Sequence, residues 1–226
     1  MKKRVFYSEM SYIIGLLLLA CGTALMEKAD FGVSMVVAPA YLLHLKVSEF
    51  LPFFSFGMAE YTFQAVLLII TMLIVRKVKF AYLFSLITAV IYGFLLDGAL
   101  LLTALIPSTD VGSSMVFYTV GILLCTAAIS LLFHSYISPE AYEMFVKEIS
   151  QKFGFDLHKC KTIYDCSSCV LSILLSFAFF GFGNFEGIKW GTAVSAVFNG
   201  LLIAMFTKIF ERFFVFKDRF PLKKYF

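Results

Sequence analysis

Six long apolar runs alternate with short polar segments along the chain. They cover about residues 11–26, 57–75, 80–106, 114–133, 163–182 and 190–210. Each is close to the ~20 apolar residues that carry a helix across a bilayer. Two shorter pieces interrupt the pattern. After Glu27-Lys28-Ala29-Asp30-Phe31-Gly32, Ser34 is placed to start a helix reaching about Leu45. With His44, Lys46 and Glu49 at its end, that piece is too short and too polar to span. Ser138-Pro139-Glu140 reads as N-cap, first-turn proline and first-turn acid, opening an amphipathic, non-spanning helix to about Phe153.

The order of elements repeats. Residues 10–106 and 114–213 each read span, short helix, span, span rich in small residues. Ala89, Gly93 and Asp97 fall on one helix face, and Ala196, Gly200 and Ala204 repeat that spacing. Such stripes let helix backbones approach closely in lipid, which predicts that the third and sixth spans are central. Three spans per half is an odd number, so the second half sits inverted. The predicted fold is all-α: a polytopic membrane protein of six transmembrane helices in two inverted three-helix repeats. Each repeat has a short non-spanning helix after its first span. The chain is taken as one membrane domain, 1–226, ending in a basic tail, 214–226. The short helices are left either re-entering the bilayer or lying on its surface.

Composition agrees with this class. Hydrophobic residues make up 61% of the 226 positions and charged residues 15%, against about 25% charged in a typical soluble domain. No length remains for a soluble catalytic domain. The net charge of +4 is not a nucleic-acid signal, because the basic residues flank apolar runs. If the N-terminus is inside, the inner segments hold sixteen Lys and Arg and the outer segments three, Lys28, Lys46 and Lys189. That bias puts both termini in the cytoplasm. Leu18-Leu19-Ala20-Cys21 resembles a lipoprotein cleavage box. The duplication needs this segment, so an uncleaved first span is expected.

Asp97 is the leading candidate for chemistry. Its position in the third span predicts a depth near the middle of the hydrocarbon core, where an acid is costly and faces a cavity or a partner. It would couple a proton or cation, or bind a cationic substrate; the plain alternative is packing through Thr88, Tyr92 or Asn199. Glu60 and Asp165 start equivalent spans of the two halves and are placed to guard opposite mouths of one pathway, with Gln64 beside Glu60. Asp30 and His134 are candidate gates at span ends. Ser34 and Ser138 begin helices whose positive ends suit an anion if they re-enter the bilayer. The five cysteines are an odd number, and Cys166-x-x-Cys169, near Cys160 and His158, has a metal or thiol spacing. No second pair matches it, so its role stays open and no metal or cofactor is expected. With no glycine-rich phosphate loop and no distinguishable Ser/His/Asp set, no enzyme is expected.

Gly22-Thr23-Ala24-Leu25-Met26, then Ala29-Asp30-Phe31-Gly32-Val33-Ser34, then Gly93-x-x-x-Asp97, resemble the YczE/YitT type of bacterial membrane protein. Gly191-Thr192 and Gly200 keep the second-half pattern. Met35 replaces a usual proline, and Phe84-Ser85 a usual Gly-Thr. The resemblance implies a six-helix protein of the bacterial inner membrane and adds little about function. The duplication and the intramembrane acid favour a small secondary transporter of an unidentified small solute. A substrate-capture subunit like the S-components of vitamin importers, or an anchor for cytoplasmic enzymes, are the alternatives. A second copy or a partner subunit is left open alongside the lipid bilayer as partner.

Overall fold

A computed structural model describes residues 4–107, 110–138, 140–183 and 186–219. The elements run β1 (Arg4–Tyr7), α1 (Ser8–Ala29), α2 (Ala38–Ser48), α3 (Phe56–Val75) and α4 (Phe80–Ala104). They continue with α5 (Val111–Phe133), α6 (Ala141–Phe153), α7 (Leu157–Phe180), α8 (Trp190–Phe213) and β2 (Phe214–Lys217). Helices α1, α3, α4, α5, α7 and α8 are long and apolar enough to cross a membrane. The chain is thus an all-α protein of membrane type. Its outer surface carries large apolar side chains such as Leu73, Leu101 and Phe94, which suit contact with lipid tails.

Several boundaries differ from the sequence expectation. Ser34 does not cap the first short helix: its carbonyl accepts from the N–H groups of Val37 and Ala38, and α2 starts four residues later, with Pro39 in its first turn. That delay suits proline, whose missing N–H is harmless there. Ser138 likewise lies before α6, whose N-cap is Glu140. Helix α7 begins six residues earlier than its apolar run, because Asp156 caps it by accepting from the Lys159 N–H. The start of the tail is a strand: β2 pairs in parallel with β1, Arg4 opposite Phe214 through Tyr7 opposite Lys217. Arg219 N–H donates to Glu9, and Ser8 donates to Asp218. The two strands therefore lie at one end of the bundle. Pro139, the tail beyond Arg219 and the His158 side chain lie outside the described residues.

The centre of the bundle is the α1–α5 pair, not the third and sixth spans. Gly22 and Gly121 meet there, and a Cβ on either would stand 2.8 Å from the other's carbonyl oxygen. Helix α4 packs on α1, and α8 packs on α5. Helix α6 packs on α3, and α2 on α7. The small-residue stripe of α4 is used: a Cβ on Gly93 would sit 2.7 Å from the Gly57 carbonyl oxygen of α3. The matching stripe of α8 is bare. Ala196, Gly200 and Ala204 are exposed, and nothing lies within 4 Å of a Cβ built on Gly200.

Candidate functional site

Helix α6 does not lie flat on one end of the bundle. Its first N–H, at Ala141, donates to Gln64 Oε1 at 3.1 Å, and near its last turn Lys152 donates to the Ile74 carbonyl. The helix therefore runs alongside the second half of α3 in the same direction. Gln64 is eight residues from one end of α3 and eleven from the other, roughly 12 and 16 Å at 1.5 Å per residue. The N-terminus of α6 thus reaches the middle of a spanning helix. It is held there by apolar side chains gathered in its first half. Ala141, Tyr142 and Met144 pack with Leu67, Leu68 and Tyr82, and Val36, just before α2, joins the same cluster. The entry to α2 and the start of α6 therefore approach each other inside the protein.

Polar groups converge at this point. Glu60 is 0% exposed. Its Oε2 accepts from Tyr142 O–H at 2.9 Å and from Gln64 Nε2 at 3.2 Å, while its Oε1 has no partner. Glu140 is 6% exposed, and its Oε1 also lacks a partner. Burial pushes the Glu140 carboxyl well above the usual carboxylate range; the charges of Glu143 and Glu60 add to this and Lys161 opposes it. Ser138 Oγ is a third buried atom without a partner. The Ser138 carbonyl accepts from Thr88 Oγ1, which also bonds Tyr12. Tyr92 bonds Thr23 across α4 and α1. Beyond Glu140, Lys161 of α7 lies 4.0 Å from Glu143 and 3.0 Å from Asp165.

Among the sequence candidates, Glu60, Gln64, Ser138 and Thr88 therefore share this region through α6, with Tyr92 nearby on α4. Asp97 stands elsewhere. Its Oδ1 accepts from the Gly57 N–H at 2.8 Å and its Oδ2 from the Ser55 hydroxyl at 2.5 Å. Ser55 is the N-cap of α3 and itself accepts from Met58 N–H. Asp97 is thus an acid placed on the positive end of α3. It lies seven residues from one end of α4 and seventeen from the other, roughly 10 and 26 Å, so it is off-centre in its own helix. Among the described residues, no hydrogen bond joins it to Thr88, Tyr92 or Asn199. Asn199 sits on α8 with its Oδ1 buried and unpartnered.

The gate candidates occupy opposite ends of the bundle. Asp30, in the left-handed conformation at the end of α1, is bridged by Lys189 at 2.6 Å. His134 bonds the Ser130 carbonyl through Nδ1, approaches Glu211 at 3.5 Å and stacks on Phe216. Ser34 closes the turn before α2 through its carbonyl. Cys166 is exposed and Cys169 half-buried, and both are free thiols. Glu140 and Tyr142 were not singled out from sequence. The signal present was the apolar half-turn Ala141-Tyr142 directly after an acid, which marks that end of the helix as the buried one.

The family model for the "Family of unknown function (DUF6198)" matches residues 6–208. The chain belongs to that family. No curated protein and no solved structure matches it.

Proposed function

We propose that this DUF6198 member is a small secondary transporter, moving a small solute across a bacterial inner membrane by alternating access between two inverted halves. The observation that carries the reading is Glu60: a fully buried carboxylate with one unpartnered oxygen, one turn before Gln64, where the start of α6 meets α3. Non-spanning helix N-termini and buried ionisable groups within the bilayer are usual parts of transporter sites. The packing pairs add support. Exchanging α1–α4 with α5–α8 turns the α1–α4 contact into α5–α8, α3–α6 into α7–α2, and α2–α3 into α6–α7, all of which occur, whereas the α3–α4 packing has no comparable α7–α8 counterpart. The ion pair Lys79–Glu148, at 2.6 Å, brings the turn after α3 to α6, as two inverted halves require. The charge bias supports a cytoplasmic position for that end and for both termini. Kinship with the YczE/YitT type is part of the same reading. Glu60 takes the coupling role first sought at Asp97, and Asp97 positions α3.

The test is reconstitution of wild type and Glu60→Gln in liposomes enclosing a pH-sensitive dye. Pools of small organic acids, amines and sugars are then offered from outside. Solute-dependent flux in wild type that disappears in the variant supports the reading; equal flux in both counts against Glu60. The bare stripe on α8 favours a second reading, a membrane subunit of a larger assembly. Co-purification of a stoichiometric partner, with no flux by the chain alone, would favour that reading instead.

A further inference from the structure

Two carboxylates, Glu60 and Glu140, are buried at the start of α6, and each leaves one oxygen without a donor. The other oxygen of Glu60 already has two donors, Tyr142 and Gln64. Titratable and polar groups from the neighbouring helices surround the pair. Helix α3 offers Gln64, and α6 offers Tyr142 and Glu143. From α4 comes Tyr92, from α1 Tyr12, and from α5 Cys125. Helix α7 brings Tyr164 and Lys161, while His44 of α2 is engaged by the Phe54 carbonyl and the Phe56 ring instead. Lys161 is the cation among these neighbours, and it is shared with Glu143 and Asp165.

Two ionised carboxylates in a dry interior repel each other and lose their hydration, and one cation at the periphery does not offset both. Protonating one removes a charge and adds an O–H donor beside oxygens that lack one. A proton also needs no cavity, and Glu60, Gln64 and Tyr142 are fully buried. We infer that Glu60 and Glu140 together hold one exchangeable proton at the buried start of α6. On release, the carboxyl O–H bond breaks, the proton passes to water, and both residues are left as carboxylates. The inference uses the same acid as the transporter reading but does not depend on any solute moving.

The test is infrared difference spectroscopy of the purified full chain between about pH 7, where ordinary carboxylates are already ionised, and alkaline pH, in choline chloride and in sodium chloride. Wild type is expected to show a protonated-carboxyl C=O band that is lost on alkalinisation. The band should weaken in Glu60→Gln and in Glu140→Gln and vanish in the double variant. Glu60→Asp, which keeps a carboxyl, should restore a shifted band. Absence of any titrating band in wild type overturns the proposal, whether or not the variants fold. An unchanged band in a folded double variant also overturns it. Loss of the wild-type band in sodium but not choline would assign the site to a metal cation and overturn it as well. If the band behaves as expected while liposomes show no solute flux, the proton site stands and the transporter reading falls.

Discussion

Replacing Asp97 separates a helix-positioning acid from a coupling acid. The carboxylate receives two bonds, from Gly57 N–H and Ser55 O–H, at the positive end of α3. Hydrogen bonds to a charged group are worth about 1.5–3 kcal/mol each, and a stranded N–H costs about 1–3 kcal/mol. The two bonds share one cap, and Ser55 keeps its bond to Met58 N–H, so the terms do not add fully. Asp97→Ala should therefore cost about 2–4 kcal/mol. Asp97→Asn keeps one carbonyl acceptor and loses the charge, so it should cost about 1–2 kcal/mol. At about 2–4 °C per kcal/mol for a chain of this size, thermal unfolding in detergent should fall furthest for the alanine variant and about half as far for asparagine. Scans at several rates guard against irreversible unfolding. The reasoning fails if both variants unfold like wild type. It fails most clearly if Asp97→Asn is fully stable and yet abolishes the pH dependence of solute flux.

Other consequences can be checked with the same protein. Gly93→Ala forces a Cβ to 2.7 Å from the Gly57 carbonyl oxygen, so it should destabilise by about 1–3 kcal/mol. Gly200→Ala, at the matching position of the second half, meets open space and should be neutral or slightly stabilising in thermal scans, since alanine is the better helix former by about 1 kcal/mol. Lys161→Met removes the cation that favours the ionised form of Glu140, so the infrared carboxyl band should persist to higher pH. Glu140 titrates above its ordinary value in the folded chain, so its favourable contribution is complete below the ordinary carboxylate value. It is lost as pH rises through the raised one. Unfolding temperature should accordingly drop toward alkaline pH, and Glu140→Gln should flatten that drop.

The spans were legible because apolar runs near 20 residues have few other uses, and the two short helices were legible from their length and charge. The burial of α6 was not. Its Glu143, Lys147, Glu148 and Lys152 look like a solvated face, yet Glu148 is tied to Lys79, and Lys152 to the end of α3. The stripes misled for a related reason. Ala89-x-x-x-Gly93 and Ala196-x-x-x-Gly200 have the same local pattern, but only the first meets a partner glycine, Gly57. Spacing along one helix does not say what faces it. Asp97 was legible as an acid that needs a partner; the partner turned out to be a backbone N–H on the preceding helix, forty residues earlier. Glu60 was singled out, but its weight comes from Tyr142, eighty-two residues away, which no local pattern links to it.

The most direct measurement is sidedness, made by single-cysteine labelling in a background lacking Cys21, Cys125, Cys160, Cys166 and Cys169. Lys77→Cys, in the turn after α3, and Lys147→Cys, on the exposed face of α6, should react with an impermeant maleimide only in inside-out vesicles. Val111→Cys, at the start of α5, should react only in intact right-side-out cells. Labelling of positions 77 and 147 from opposite sides would contradict the inverted pair of halves and the placement of α6 against α3.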